Sequence, residues 1–233
     1  MPSLALLQDF SLEEPKLVDW GWLADNFFED VWPAFIGHLY LSFVSVGIAL
    51  VISLPLGVLV ARYRVLYAPV LFITGLLFTI PSLALFAFLV ASGVGIGPRP
   101  VIIGLVAYSL LVLIRNVVTG LDSVAPETID AAKGMGLTNR QILFKVELPL
   151  ALPVIVAGIR IATVTVIGIA VIGAFIAGGG LGQLIFDGID RSFPTLVLTG
   201  AVMATLMAIF ADVALLALER YLRPWARRAR GAT

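Results

Sequence analysis

APETIDAAKGMGLTNRQILFKVELPLALP, Ala125 to Pro153, lies between two strongly apolar regions and reads as two short helices joined by a glycine turn. Pro126 suits the first helical position, where a missing N–H costs nothing, and Glu127 favours the positive helix start. Gly134 and Gly136 can take the left-handed geometry that stops a helix. Thr138 with Gln141 three residues on forms a capping box, so a second helix starts there. Pro149 biases Leu148 towards an extended shape and is expected to end that helix. Ala131 and Ala132 leave a small-residue face that another surface can approach closely. The stretch has the character of a docking element.

On either side of it the chain is membrane-like. Of 233 residues, 60% are hydrophobic and only 13% charged, against about 25% charged in a soluble domain; the mean hydropathy is +1.06. The expected class is therefore an all-α polytopic membrane protein. Fifteen basic and fifteen acidic residues balance, so no nucleic-acid partner is implied. The absence of cysteine excludes disulfides and thiolate metal sites. The start, MPSLALLQDF, lacks a basic region and is too short to span, so no cleavable signal is expected.

A helix needs about 20 apolar residues to cross the hydrocarbon. Five such spans fall near 35–61, 67–91, 99–121, 150–177 and 194–219, with Pro55 near the end of the first and Pro81 expected to kink the second. Residues 1–34, acidic and rich in Trp and Phe, read as an external or interfacial segment lying on the membrane surface; residues 220–233 read as a basic tail. Arg62, Arg64, Arg115, Lys133, Arg140, Lys145 and Arg220, with Arg223, Arg227, Arg228 and Arg230, fall on one side of the membrane. Lys16, Arg99 and Arg191 fall on the other. The basic side is cytoplasmic, which places the N-terminus outside and puts the 122–149 loop and the C-terminus inside.

With that placement, the loop resembles the coupling loop of the membrane-spanning subunits of ATP-driven (ABC) importers of type I. Their loop carries EAA, three residues, G, nine residues, then I-x-L-P. Here the pattern falls on Asp130, Ala131, Ala132, Gly136, Val146, Leu148 and Pro149, with Leu137 following the glycine. Asp130 stands for Glu and Val146 for Ile. Ile80–Pro98 (IPSLALFAFLVASGVGIGP), Leu113–Val124 (LIRNVVTGLDSV) and Ile176–Ile189 (IAGGGLGQLIFDGI) resemble the osmoprotectant branch, which takes up glycine betaine, carnitine and choline. The likeness covers roughly residues 35–219. Methionine, amino-acid and sulfonate permeases share the loop and the five-span core, so the loop by itself chooses no substrate.

The resemblance implies the partners: cytoplasmic ATPase subunits, a second permease subunit (the same chain or another) and an external substrate-binding protein, in a bacterial-type inner membrane. This chain has no GxxxxGK[ST] phosphate loop. ATP and Mg belong to the partner, and the permease itself is not an enzyme. GGGLG at 178–182 reads instead as a tight turn. The implied mechanism is mechanical, the loop helices acting as levers that shift the spans between inward-open and outward-open packings. A secondary transporter would need internal repeats and midplane carboxylates; no repeat is apparent. No HExxH or nucleophile elbow supports an intramembrane enzyme.

Charges within a span are costly, about 2.5–3.5 kcal/mol on insertion scales. Arg160 falls about 16 Å from the cytoplasmic end of the fourth span and Asp212 about 10 Å from that of the fifth. Similar depth and opposite sign make them a candidate ion pair, structural or lining the translocation path. Arg115 is expected at the headgroups, and His38 as an ordinary interfacial residue with no metal to hold. Phe72, Phe78, Phe86, Phe88, Tyr108 and Phe175 are scattered through the spans, and no substrate-contact residue is assigned.

Overall fold

The computed structural model describes residues 17–222. The expectations for residues 1–16 and for the basic tail from Arg223 onward lie outside the described residues. Within them the chain is helical. The first helix, α1, runs from Trp20 to Arg62, 43 residues, with a π-helical turn at Phe27–Val31. It is followed by α2 (Tyr67–Thr79), α3 (Ser82–Leu89, extended by a π turn at Val90–Val94) and α4 (Pro98–Asp122). A short loop helix, α5, spans Pro126–Gly134. After it come α6, helical from Asn139 to Ile176, α7 (Leu181–Asp190) and α8 (Pro194–Tyr221). Helices α1, α4, α6 and α8 are each long and apolar enough to cross a membrane.

The second expected span is different. Its two arms, Arg64–Thr79 and Ser82–Val94, meet at 95°, so the segment is two helices with a sharp break between them rather than the kinked helix expected over 67–91. Pro81 has no N–H and forces its predecessor out of the helical region. Ile80 is extended (φ −68°, ψ 128°) and Pro81 follows it (φ −56°, ψ 134°). Two residues, not one hydrogen bond, therefore leave the helix. The carbonyl of Ile80 is satisfied from α4, where the Tyr108 hydroxyl donates to it at 2.6 Å. An unpaired carbonyl would be expensive in hydrocarbon.

Small residues let the long helices approach. On α1, His38, Ser42, Ser45, Ala49, Ser53 and Gly57 are buried along one face. A Cβ at Gly57 would lie 2.6 Å from Val117 of α4, and one at Gly158 of α6 would lie 2.4 Å from Asn116. Close backbone contact of this kind drives helix association in membranes, where apolar burial against lipid gains little. The central cluster, Leu41, Val46, Phe86, Val101, Leu105, Val166 and Ala170, joins α1, α3, α4 and α6. Large apolar side chains such as Val51, Phe72 and Phe210 face outward.

Three further expectations change. Residues 20–34 are not a separate surface helix but the N-terminal turns of α1, capped by Asp19, whose carboxylate accepts from the Trp22 N–H at 3.0 Å. His38 is fully buried, and its Nε2 donates to the Ile167 carbonyl at 3.0 Å, because α1 extends past it and the Gly180 turn ahead of α7 sits against it. Pro149 does not end its helix. Leu148 is helical (φ −60°, ψ −46°), and a π turn at Leu143–Glu147 widens the ladder just ahead of the proline. A ring that would collide with a carbonyl four residues back is thereby accommodated.

Candidate functional site

At one end of the bundle the 122–149 loop is built by local chemistry. Pro126 opens α5 and Glu127 lies in its first turn. At its other end the Gly136 N–H donates to the Lys133 carbonyl at 2.9 Å and the Leu137 N–H to that of Ala132 at 3.2 Å. These two bonds form a Schellman stop, which requires the left-handed geometry Gly136 adopts (φ 77°). Gly134, by contrast, is an ordinary last helical residue. Thr138 and Gln141 then form the reciprocal capping box that starts α6.

The residues of the loop motif divide between two jobs. Ala132 is buried, and Leu137, Val146 and Leu148 are half-buried, holding the loop to the bundle. Leu148 packs on the cluster of Val117, Leu121, Ala151 and Ile155. Asp130, Ala131, Gly136 and Pro149 face outward, and Asp130 bonds its neighbour one turn on, Lys133, at 3.1 Å. Beside them Met135 and Phe144 are 73% and 66% exposed. The outward face of the loop is thus a small-residue surface with two apolar knobs.

Sequence reasoning missed how this loop is anchored. Glu147, buried, is ion-paired with Arg62 at the end of α1, and Asp122 with Arg64. The residues of these pairs are 85 and 58 positions apart in the chain, so no local pattern links them. Both pairs fasten the loop to the segment that follows the first span.

Deeper in the bundle, Arg160 of α6 and Asp212 of α8 are brought together. Nε of Arg160 donates to Asp212 Oδ1 at 3.0 Å, and Nη2 donates to Oδ1 and Oδ2 at 2.9 and 3.0 Å. A third member was not anticipated: Nη1 donates to Glu219 Oε2 at 3.1 Å. The signal was present, since Asp212 and Glu219 are seven residues apart and share one face of a helix. Arg160 and Asp212 line one part of a mostly apolar groove of about 920 Å³ formed by α6, α7 and α8, with Ile161, Val164, Ile185 and Ile209 among its walls. Arg115 is exposed and separate. Among the described residues no three His, Asp or Glu side chains gather to hold a metal ion.

A helical bundle with four long apolar helices, a sharply bent apolar helix pair and an outward-facing loop clamped to it defines a polytopic membrane protein. Residues 53–228 match the family described as the binding-protein-dependent transport system inner membrane component, and the chain belongs to that family. It is a permease subunit of the ATP-driven importers. Its relatives include the glycine betaine/carnitine/choline transport system permease protein OpuCD of Bacillus subtilis, 44% identical over 82% of this chain and 83% of that one. The osmoprotectant import permease protein OsmW of Salmonella typhimurium is also 44% identical, over 80% and 89%. Among solved structures, the inward-facing MetNI methionine ABC transporter superposes with a TM-score of 0.71 at 28% identity, over 80% of this chain and 93% of that one.

Proposed function

We propose that this chain forms the translocation pathway for small quaternary ammonium osmoprotectants such as glycine betaine, carnitine or choline. The observation that carries the substrate class is the 44% identity, over most of both chains, to one permease named for those three solutes and one named for osmoprotectants. The likeness to the methionine transporter is weaker, 28%, and supports the shared fold more than the solute.

In this reading the face carrying Asp130, Ala131, Gly136, Met135 and Phe144 docks a cytoplasmic ATPase, which binds the ATP and Mg. The N-terminus is outside and the C-terminus inside, a second permease subunit completes the pathway, and an external binding protein delivers the solute. The Schellman stop fixes the turn out of α5, and the two ion pairs hold the end of α4 and the first turns of α6 to Arg64 and Arg62, which makes the loop a stiff lever. Nucleotide-driven closure of the ATPases would move that lever, and the spans with it, only through contacts that differ between the two states.

The test is purification from native membranes followed by reconstitution into liposomes. An ATPase subunit should accompany the chain, and the complex, supplied with its binding protein, should accumulate labelled glycine betaine or choline in an ATP-dependent way. ATP-dependent uptake of methionine with none of either quaternary amine would overturn the substrate reading.

A further inference from the structure

At the end of the bundle opposite the loop, α1, the turn ahead of α7 and α7 itself enclose a cavity of about 280 Å³. Its lining holds both signs of charge and an aromatic ring: Glu29 and Asp30 from the π turn of α1, Asp187 and Arg191 at the end of α7, and the indole of Trp22. Arg191 lies one helical turn after Asp187, yet no ion pair joins them, and neither Glu29, Asp30 nor the Arg191 side chain bonds another described residue. Asp187 accepts one hydrogen bond, from Gln183 Nε2 at 3.0 Å. Glu29, Asp30 and Arg191 are solvent-exposed and, with half-buried Asp187, face this shared space.

The walls of that space are fixed. Trp22 meets Phe193 edge-on at 5.4 Å between ring centres. Behind it Val31, Leu181, Leu184 and Leu196 form a buried cluster. The floor is backbone: Gly179 and Gly180 both have positive φ (78° and 77°), and a Cβ on Gly180 would lie 3.0 Å from His38 Nδ1 and 3.1 Å from its Cα. Buried His38 therefore sets how closely this turn sits against α1.

A ligand for such a cavity is small and carries both charges. A quaternary ammonium has no N–H to donate, so it is held by the field of carboxylates and by the face of an aromatic ring. A carboxylate is held by a guanidinium. Building on the substrate reading above, we propose that this cavity is an outer recognition site for zwitterionic quaternary ammonium compounds, with Arg191 the residue that distinguishes them from purely cationic ones. Glu29, Asp30, Asp187 and Trp22 serve the ammonium that both kinds of compound share.

The experiment uses the reconstituted complex with its binding protein and compares ATP-dependent uptake of glycine betaine, which has a carboxylate, with that of choline, which does not. Arg191→Gln changes an exposed side chain, and the amount of membrane-inserted protein should be unchanged. It should raise the half-saturating glycine betaine concentration about fivefold or more while leaving choline within twofold, and Arg191→Lys should recover part of the loss. Trp22→Ala should raise the value for both solutes by about fivefold. Equal effects of Arg191→Gln on the two solutes, as loss of binding-protein docking would give, overturn the proposal, as does no effect on either. Uptake of choline without glycine betaine by the unaltered complex also overturns it. Uptake of neither removes the substrate reading and this site together, whereas normal uptake of both with an unchanged ratio removes this site alone.

Discussion

Arg160 holds two carboxylates at once, and this sharing sets the order in which substitutions should hurt. Its side chain is 22% exposed, against 39% for Asp212 and 12% for Glu219. The cost of breaking the cluster should therefore fall below the 3–5 kcal/mol typical of fully buried pairs, to roughly 1–3 kcal/mol. Arg160→Gln removes the cation from both carboxylates and should be the most damaging change. Asp212→Asn leaves Arg160 bonded to Glu219 and should cost roughly half as much. Thermal melting of the detergent-solubilised complex should give that order, and the Arg160→Gln/Asp212→Asn double variant should be less destabilised than the sum of the singles. Additive losses would show that the two charges act independently. If the neutral double variant folds and hydrolyses ATP but moves no solute, the cluster belongs to the pathway; normal transport makes it structural.

Between elements, the pair Arg62–Glu147 couples the end of α1 to the start of α6, and its two halves sit in different surroundings. Arg62 is 45% exposed and Glu147 only 5%. Removing Arg62 strands a buried carboxylate, whereas neutralising Glu147 leaves a guanidinium that can reach water. Arg62→Ala is thus expected to destabilise by roughly 2–4 kcal/mol and Glu147→Gln by about 1 kcal/mol or less. If the clamp also transmits the lever's motion, Glu147→Gln should leave the melting temperature nearly unchanged yet lower the solute moved per ATP hydrolysed. A stoichiometry equal to that of the unaltered complex would confine the pair to stability. The break between α2 and α3 is the other inter-element device: Tyr108 of α4 caps Ile80 and rests edge-on against Phe78, 6.0 Å between ring centres.

For the molecule as a whole, the loop and the outer cavity lie at opposite ends of the bundle, and the proposed orientation assigns them to opposite sides of the membrane. The chain has no cysteine, so single cysteines can be introduced without background. A cysteine at exposed Asp190, beside the outer cavity, should react with an impermeant maleimide on intact cells. One at exposed Met135, on the loop, should react only after permeabilisation. The reverse pattern would invert the topology and place the docking face away from any cytoplasmic ATPase.

What the sequence determined by itself is what short-range chemistry controls. The Gly136 turn, the Thr138–Gln141 box and the start at Pro126 each depend on atoms no more than five residues apart. The long helices follow from apolar length, because a backbone in hydrocarbon must bond within itself. Opposite charges at matching depth were enough to single out Arg160 and Asp212. Tertiary structure decided the rest. The depth at which His38 lies, the partner of Glu147, the share Glu219 takes of Arg160 and the cavity between Trp22 and Arg191 all join segments far apart in the chain. Two prolines alike in sequence had opposite outcomes, Pro81 separating two helices that meet at 95° and Pro149 passing inside a helix. The difference lies in what the fold supplied: a tyrosine hydroxyl to cap an opened carbonyl in one case, a widened helical turn in the other. Neither compensation is written in the residues next to the proline.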